Sequence, residues 1–482
     1  MAGTTATLQS TSRTEKAPRP KKELLKAPLA TWMWSLGFLL SLSLTGLSFY
    51  PALIFTGFIL LNRFFKDRYD FLIMVAIFAS SPGFIPSKII GFNPIDPLIA
   101  LACVGMLFYR KNLMVKKVTL CVFAYILFLL LMSTMSDETL AIQMLTLRQY
   151  ASVILFILPL WLFANRDFDA LRFFRHVLVY LFWICLFYAI DGFVFSGWVL
   201  LPGTFSYNET FSTFWDIHWS PFTTYFPRKY PSAMFIVILS AYPLARYYRL
   251  RWWQWAVIAV AFAATRTMTV IGAFVITYVT FQGRFLQFAK YCVLAAIGVT
   301  ALYFIDSSTG GFIRVASTID QLTSVSATGD SDDLAEFGTG RMGQILPKYE
   351  ALVDQNCLLQ GFGFIHPTKT TLPRYQVHNE YYSDITLADE NAAYVEVTQF
   401  NAILHTGIIG LIVQTVFYVY LYFLLKPGKL AQFYLSALLM VSIMGVGGFA
   451  GLTQSDGVLY VAVALGTALL DARPNRKSTL TT

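Results

Sequence analysis

The sequence predicts an all-α polytopic membrane protein with a large polar body inserted late in the chain. Three observations predict it. Hydrophobic residues fill 56% of the 482 positions and charged residues only 13%, where a soluble domain carries about a quarter charged. Apolar runs close to the length of a bilayer crossing recur along most of the chain. Lys and Arg concentrate in every second connecting loop, a sidedness that membrane insertion imposes.

A hydrocarbon core of roughly 30 Å needs about 20 apolar residues per helix. Such runs, some of them short, fall at 32–47, 49–62, 71–86, 95–109, 118–135, 149–164, 173–196, 231–248, 254–265, 267–281, 290–305, 400–425, 430–449 and 455–471. This gives about 14 spans. The pairs 32–62 and 254–281 read either as hairpins or as single long tilted helices. With the N-terminus on the cytoplasmic side, the six short cytoplasmic loops hold 17 Lys or Arg. The smaller outer loops hold five: Lys88, Arg148, Arg228, Lys229 and Arg266. One long helix over 254–281 would invert that sidedness for half of the chain, so the hairpin is expected.

The domains follow. Residues 1–28 are polar and basic, with Arg13, Lys16, Arg19, Lys21, Lys22 and Lys26. They read as a disordered cytoplasmic tail without a cleavable signal. Residues 29–305 carry spans 1–11, with an aromatic outer loop over 197–230. Residues 306–399 form an outer loop domain with 13 acidic and five basic residues, against a chain total of +9. Within it, 344–355 has helical spacing, and the acidic run 329–333 reads as a loop tip. Residues 400–471 carry spans 12–14, and 472–482 form a second cytoplasmic tail. The five cysteines show neither a paired framework nor metal-ligand spacing. No acidic metal triad stands out, and no cofactor is expected.

Few residues carry candidate chemistry. Arg266 lies between two short apolar runs near the outer surface. An Arg there is costly unless it snorkels or has a partner, and its planar fork matches phosphate oxygens. A pyrophosphate clamp and an interfacial anchor both account for it. Arg341, in Gly338-Thr-Gly-Arg341-Met-Gly343, opens the amphipathic stretch. Its charge opposes the helix dipole there, which suggests anion binding with the helix N-terminus; an exposed loop Arg is the plainer alternative. Beyond it come the turn Gly361-Phe-Gly363, the pair His378-Asn379, and Glu396 just before the apolar run that contains Gly407-Ile-Ile-Gly410. Glu396 or His378 is placed to orient or deprotonate a hydroxyl, or is a solvated loop residue. His405, nine residues after Glu396, reads as a packing residue. His176 has no supporting pattern.

The order of these features resembles the O-antigen polymerase and O-antigen ligase superfamily, the Wzy/WaaL-type glycosyltransferases. It comprises a short helix pair with an outer Arg, a large outer loop with Gly-Arg-x-Gly and Gly-x-Gly, and a polar residue about 11 positions before a glycine pair. The resemblance covers about 250–425; before 230 it rests on hydropathy. It implies a GT-C-like, metal-independent transfer, inverting at the sugar, in the inner membrane of a bacterium, with both termini cytoplasmic and 306–399 periplasmic. Arg266 and Arg341 would hold the donor pyrophosphate, joined by Arg148. Glu396, at a spacing where ligase-like members have His-Asn, favours a polymerase. His378-Asn379 lies 29 residues before Gly407, too far for a simple match. The implied partners are undecaprenyl pyrophosphate-linked oligosaccharide, the lipid bilayer and a chain-length regulator, and no nucleic acid. The alternatives are a ligase that moves finished glycan to lipid A-core, a transporter of lipid-linked oligosaccharide, and a structural or signalling membrane protein.

Overall fold

The computed structural model describes residues 22–44, 48–79, 95–108, 113–163, 167–193, 234–265, 268–282, 341–365, 397–425, 429–446 and 455–471, with a few isolated positions over 293–308. These are almost all helix: α1 Leu29–Leu44, α2 Phe49–Lys66, α3 Arg68–Ala79, α4 Ile95–Phe108, α5 Leu113–Ser133, α6 Leu140–Ala151, α7 Ile157–Leu162, α8 Ala170–Phe193, α9 Met234–Arg246, α10 Trp252–Thr265, α11 Met268–Gln282, α12 Arg341–Asp354, α13 Thr398–Leu424, α14 Lys429–Val446 and α15 Ser455–Asp471. Among the described residues, four helical runs are long and apolar enough to cross a membrane: Lys116–Ser133, Leu140–Leu162, Ala170–Ile190 and Thr398–Leu424. Shorter apolar helices, α1 and α15 among them, pack around these.

Most of the helices are apolar on every side, which in a protein means burial or lipid. α8 is the buried kind: Phe173, Phe174, Val177, Leu178, Leu181 and Ile184 are all fully enclosed. Phe174 meets Tyr242, Tyr247 and Phe433 ring to ring, so α8, α9 and α14 share one aromatic layer. α5 and α13 bury one face and bare the other. Leu120, Phe123, Leu127 and Leu131 form an exposed stripe at helical spacing, and Ile409, Ile412, Val416 and Phe423 form another. Such stripes would aggregate in water. They give the chain the character of an integral membrane protein.

The hairpin expected from charge over 254–281 is present, and the pair over 32–62, open between two readings, is also a hairpin. Ser41 on α1 and Thr56 on α2 share a hydrogen bond of 2.8 Å. Across α10 and α11, Phe262 packs on Phe274 and Trp255 on Tyr278, the pairing of two antiparallel helices. Three boundaries differ from expectation. The run expected over 149–164 begins at Leu140, because the polar side chains of its head face protein: Gln143 donates to the Ser136 and Glu138 carbonyls, and Thr146 to that of Ile365. Hydropathy alone discounts such residues. Within the same run, Ser152–Phe156 tightens to 3-10 helix. Pro159 has no N–H to offer the Leu155 carbonyl, and its ring crowds that oxygen. Finally, the tail expected over 1–28 is ordered from Lys22. Glu23–Leu24 (β1) pairs in parallel with Tyr248–Arg249 (β2), Leu25 is buried, and the Lys22 ammonium donates to the Leu244 carbonyl. Residues 1–21, the loop 197–230, the tip 329–333 and the tail 472–482 lie outside the described residues.

The run from Leu140 to Leu162 supplies a ruler. Its 23 residues span about 34 Å at helical rise, close to one hydrocarbon thickness. Its first turns touch the 136–138 loop. At its far end the Leu162 carbonyl accepts a hydrogen bond from Arg68, and Tyr69 packs on Phe163. The bundle therefore has two distinct polar ends. The Arg68 end gathers Lys22, Arg63, Lys66, Arg68, Arg172, Arg175, Arg246, Arg249 and Arg251, which lie at helix termini and loops.

Candidate functional site

The basic end is built around two carboxylates. Asp67 stands between α2 and α3, where its Oδ1 accepts the Tyr69 N–H and its Oδ2 takes the Arg172 guanidinium at 2.7 Å. Asp70, in the first turn of α3, is fully buried. Its Oδ1 lies 2.8 Å from Nδ1 of buried His176 on α8, and Arg63 stands 3.6 Å from its Oδ2. Arg63 in turn stacks 4.3 Å over the Trp34 ring. Asp67, Asp70 and His176 bring three ligand atoms within 4.8 Å of one another, a spacing that a metal ion could use. The two guanidiniums argue against that use. They already balance both carboxylates, and a cation would have to displace Arg172 and break the His176 bond. The cluster is a lock between α2, α3 and α8. His176, which has no pattern in the sequence, is its centre.

The opposite end is assembled from four segments distant in sequence. α13 is broken at Gly407, whose φ of 66° and ψ of −172° lie in a region essentially reserved for glycine. A break frees backbone groups that must find other partners, since burial tolerates no orphans. The turn 357–365 supplies them. Phe362 N–H donates to the Leu404 carbonyl at 2.8 Å, while Ile408 and Ile409 N–H donate to Leu358 and Leu359 carbonyls at 3.1 and 3.2 Å. The fit is close enough that only glycines serve. A Cβ on Gly361 would lie 2.6 Å from Gly407 N, and one on Gly407 would strike the Leu359 carbonyl. On the other side of the turn, a Cβ on Gly363 would lie 2.5 Å from Ser136 N. Helix α12 closes the junction: Leu352 packs in one apolar cluster with Phe362, Ile365, Phe400 and Leu404.

Polar side chains tie α6 to this junction. The Tyr150 hydroxyl lies 3.0 Å from His405 Nδ1 and 3.4 Å from the Asn401 carbonyl, to which it donates. Phe364 packs on both rings. His405 is thus a buried, bonded residue, as its position in the apolar run suggests. Glu138 sits beside this layer and is only 6% exposed. Its backbone is well held: the N–H donates to Ser136 Oγ at 3.1 Å, and the carbonyl accepts Gln143 Nε2 at 2.7 Å. Its carboxylate is not, for Oε1 is buried with no hydrogen-bond partner among the described residues. Leaving a buried polar atom unsatisfied costs about 1–3 kcal/mol, and more for a charged group. On α12, Lys348 lies between Ile345 and Leu352 on the packed face and is 2% exposed. Burial pushes its ammonium down to about 8.

The expected site residues fall as follows. Arg148 is half-buried in the last turn of α6, two residues from Tyr150. It lies inside a helix, where hydropathy put it at a helix start. Arg341 is the first residue of α12, where its spacing put it; its side chain lies outside the described residues. So do Arg266, His378, Asn379 and Glu396. Arg266 is flanked by the ends of α10 and α11, and Glu396 by Val397, which packs into the junction cluster. The structure therefore joins the segments bearing Arg148 and Arg341 to the head of α13. Glu138, Lys348 and the Tyr150–His405 pair are the residues that sequence reading misses. Only Ser136-Asp137-Glu138, an acidic pair in a short loop between two apolar runs, leaves a trace in the sequence. No family model matches the chain, and no curated protein matches it in sequence.

Proposed function

We propose that the chain is a glycan polymerase of the bacterial inner membrane. In this reading it joins undecaprenyl pyrophosphate-linked repeat units at the outer face, with a GT-C-like plan of about 14 spans and a periplasmic body over 306–399. The observation that carries the reading is the convergence at one end of the bundle. Three features that make up the family resemblance, the Arg341 helix, the Gly361–Gly363 turn and the Gly407–Gly410 stretch, lie up to 70 residues apart in the sequence. They pack on one another at the end opposite the basic residues. With the basic end cytoplasmic, both termini are cytoplasmic and the junction opens to the outer face.

The chemistry then assigns itself by charge. Arg341 and Arg266, joined by Arg148, hold the donor pyrophosphate and stabilise the charge that develops as it leaves. Glu396 or His378 positions the acceptor hydroxyl for attack at the anomeric carbon from the opposite face. The growing chain passes from its carrier to the incoming unit, and a chain-length regulator is the partner that would set its extent. Glycans from cells lacking the gene, separated on a gel, test the reading. Loss of the ladder, with single repeat units still reaching their final acceptor, is the expected result. Long polymer stranded on the lipid carrier would instead assign the chain as a ligase, and an unchanged ladder would leave neither.

A further inference from the structure

We propose that Glu138 takes the proton of the attacking hydroxyl, a role resting on the polymerase reading above. A carboxylate oxygen buried without a hydrogen-bond partner is unfavourable in a resting protein, and such atoms are a small minority in native folds. Here the surrounding loop is held at several points. Ser136 and Gln143 hold the Glu138 backbone, and Gly363 presses on Ser136 at a distance that admits no side chain. Thr146 ties the same turn to α6 through the Ile365 carbonyl. The loop thus fixes the backbone that carries the carboxylate, while Oε1 itself is left without a donor among the described residues. A donor brought by a ligand completes that arrangement, and a sugar hydroxyl is such a donor.

The place in the fold agrees with the role. Glu138 adjoins the seam between α6, the 357–365 turn and the broken head of α13, where the proposed donor-holding helix α12 also packs. At the basic end Asp70 Oδ2 is likewise buried without a hydrogen bond among the described residues, but Arg63 stands 3.6 Å from it and His176 lies 2.8 Å from Oδ1, so that carboxylate is already committed to the helix lock. In the reaction, the acceptor O–H bond breaks and its proton passes to Glu138 Oε1. The acceptor oxygen bonds to the anomeric carbon, and the anomeric C–O bond to pyrophosphate breaks with its electron pair leaving on the pyrophosphate. No metal, oxidant or further reactant is required. Glu396 then serves to orient the acceptor.

The test uses the full chain in lipid nanodiscs, with lipid-linked repeat units extracted from cells that lack the gene. Glu138→Gln keeps the shape and removes the base. It should lower the initial rate of polymer formation about 100-fold or more while leaving the heat-unfolding midpoint at its wild-type value. Glu138→Asp, which restores a carboxylate, should be faster than Glu138→Gln. A Gln variant within about threefold of wild type, an Asp variant no better than Gln, or a Gln variant that is destabilised or missing from the membrane would each overturn the role, the last by making Glu138 a scaffold residue. If the wild-type protein itself forms no polymer from the extract, the polymerase reading fails first. Polymer from wild type with normal Glu138→Gln activity removes only the proton-accepting role.

Discussion

The two polar ends of the bundle use the same kinds of side chain to opposite effect. At the basic end, buried Asp70 has His176 at 2.8 Å and Arg63 at 3.6 Å, and Asp67 has Arg172 at 2.7 Å. Each of these carboxylates has a cation or a histidine beside it, although Asp70 Oδ2 itself makes no hydrogen bond among the described residues. At the other end, buried Glu138 has an oxygen with no hydrogen-bond partner among the described residues, and Lys348 is buried on the packed face of α12. Breaking a compensated buried pair damages the fold, since the remaining charge is stranded. Removing a group that already carries its own desolvation cost spares the fold and damages whatever the group is kept for. The difference divides the molecule into an end whose buried carboxylates lock helices together and an end where the Glu138 oxygen is left without a hydrogen-bond donor among the described residues.

That division can be broken in several places. The largest effect should come from Gly407→Ala. The backbone there costs an alanine about 1–3 kcal/mol, and the clash with the Leu359 carbonyl adds about 1–3 kcal/mol of overpacking. Folded protein recovered by size-exclusion chromatography should fall sharply, and limited proteolysis should open the 357–365 turn. Recovery at the wild-type level would mean that the glycine junction is not a structural requirement. At the basic end, Asp70→Ala should cost about 3–5 kcal/mol, read as a lower unfolding midpoint in detergent titrations. A variant as stable as wild type would show that the cluster is no lock.

A pH titration sharpens the comparison at Lys348. Its folded value of about 8 lies below the ordinary lysine value of about 10.4. Between these, the unfolded chain holds a proton that the folded chain does not. Stability therefore rises with pH across that window, by at most about 1.4 kcal/mol per pH unit. Lys348→Met should flatten the rise, measured as unfolding midpoint against pH for both proteins. Parallel curves would place the ammonium in a more polar setting than its burial implies. Tyr150→Phe should have the smallest effect, about 0.5–1.5 kcal/mol for the lost hydrogen bond. Faster amide exchange in the first turns of α13, with α8 unchanged, is the expected signature. A uniform change across both helices would dissolve the distinction between the ends.

Much of the helical architecture is legible in the sequence, because apolar runs and loop charges report on single segments. The α10–α11 hairpin was recoverable from basic residues alone. The amphipathic spacing of Ile345 and Leu352 located α12, down to Arg341 as its first residue. What stayed hidden depends on partners far along the chain. His176 and Asp70 are 106 residues apart, and Tyr150 and His405 are 255 apart, so no local pattern announces either pair. The break in α13 falls at Gly407, inside an apolar run that reads as one unbroken span over 400–425. The 357–365 turn, which takes over the freed backbone groups, explains why the helix survives the interruption. The candidate site was legible as a set of segments, and its buried carboxylate was not.

The most direct test of this division is the glycan ladder normalised to folded membrane protein, measured side by side for Arg341→Ala and Asp70→Ala. The account predicts no ladder from Arg341→Ala at wild-type stability, and a normal ladder per folded molecule from a destabilised Asp70→Ala. A full ladder from Arg341→Ala, or one lost per folded molecule in Asp70→Ala, would contradict it.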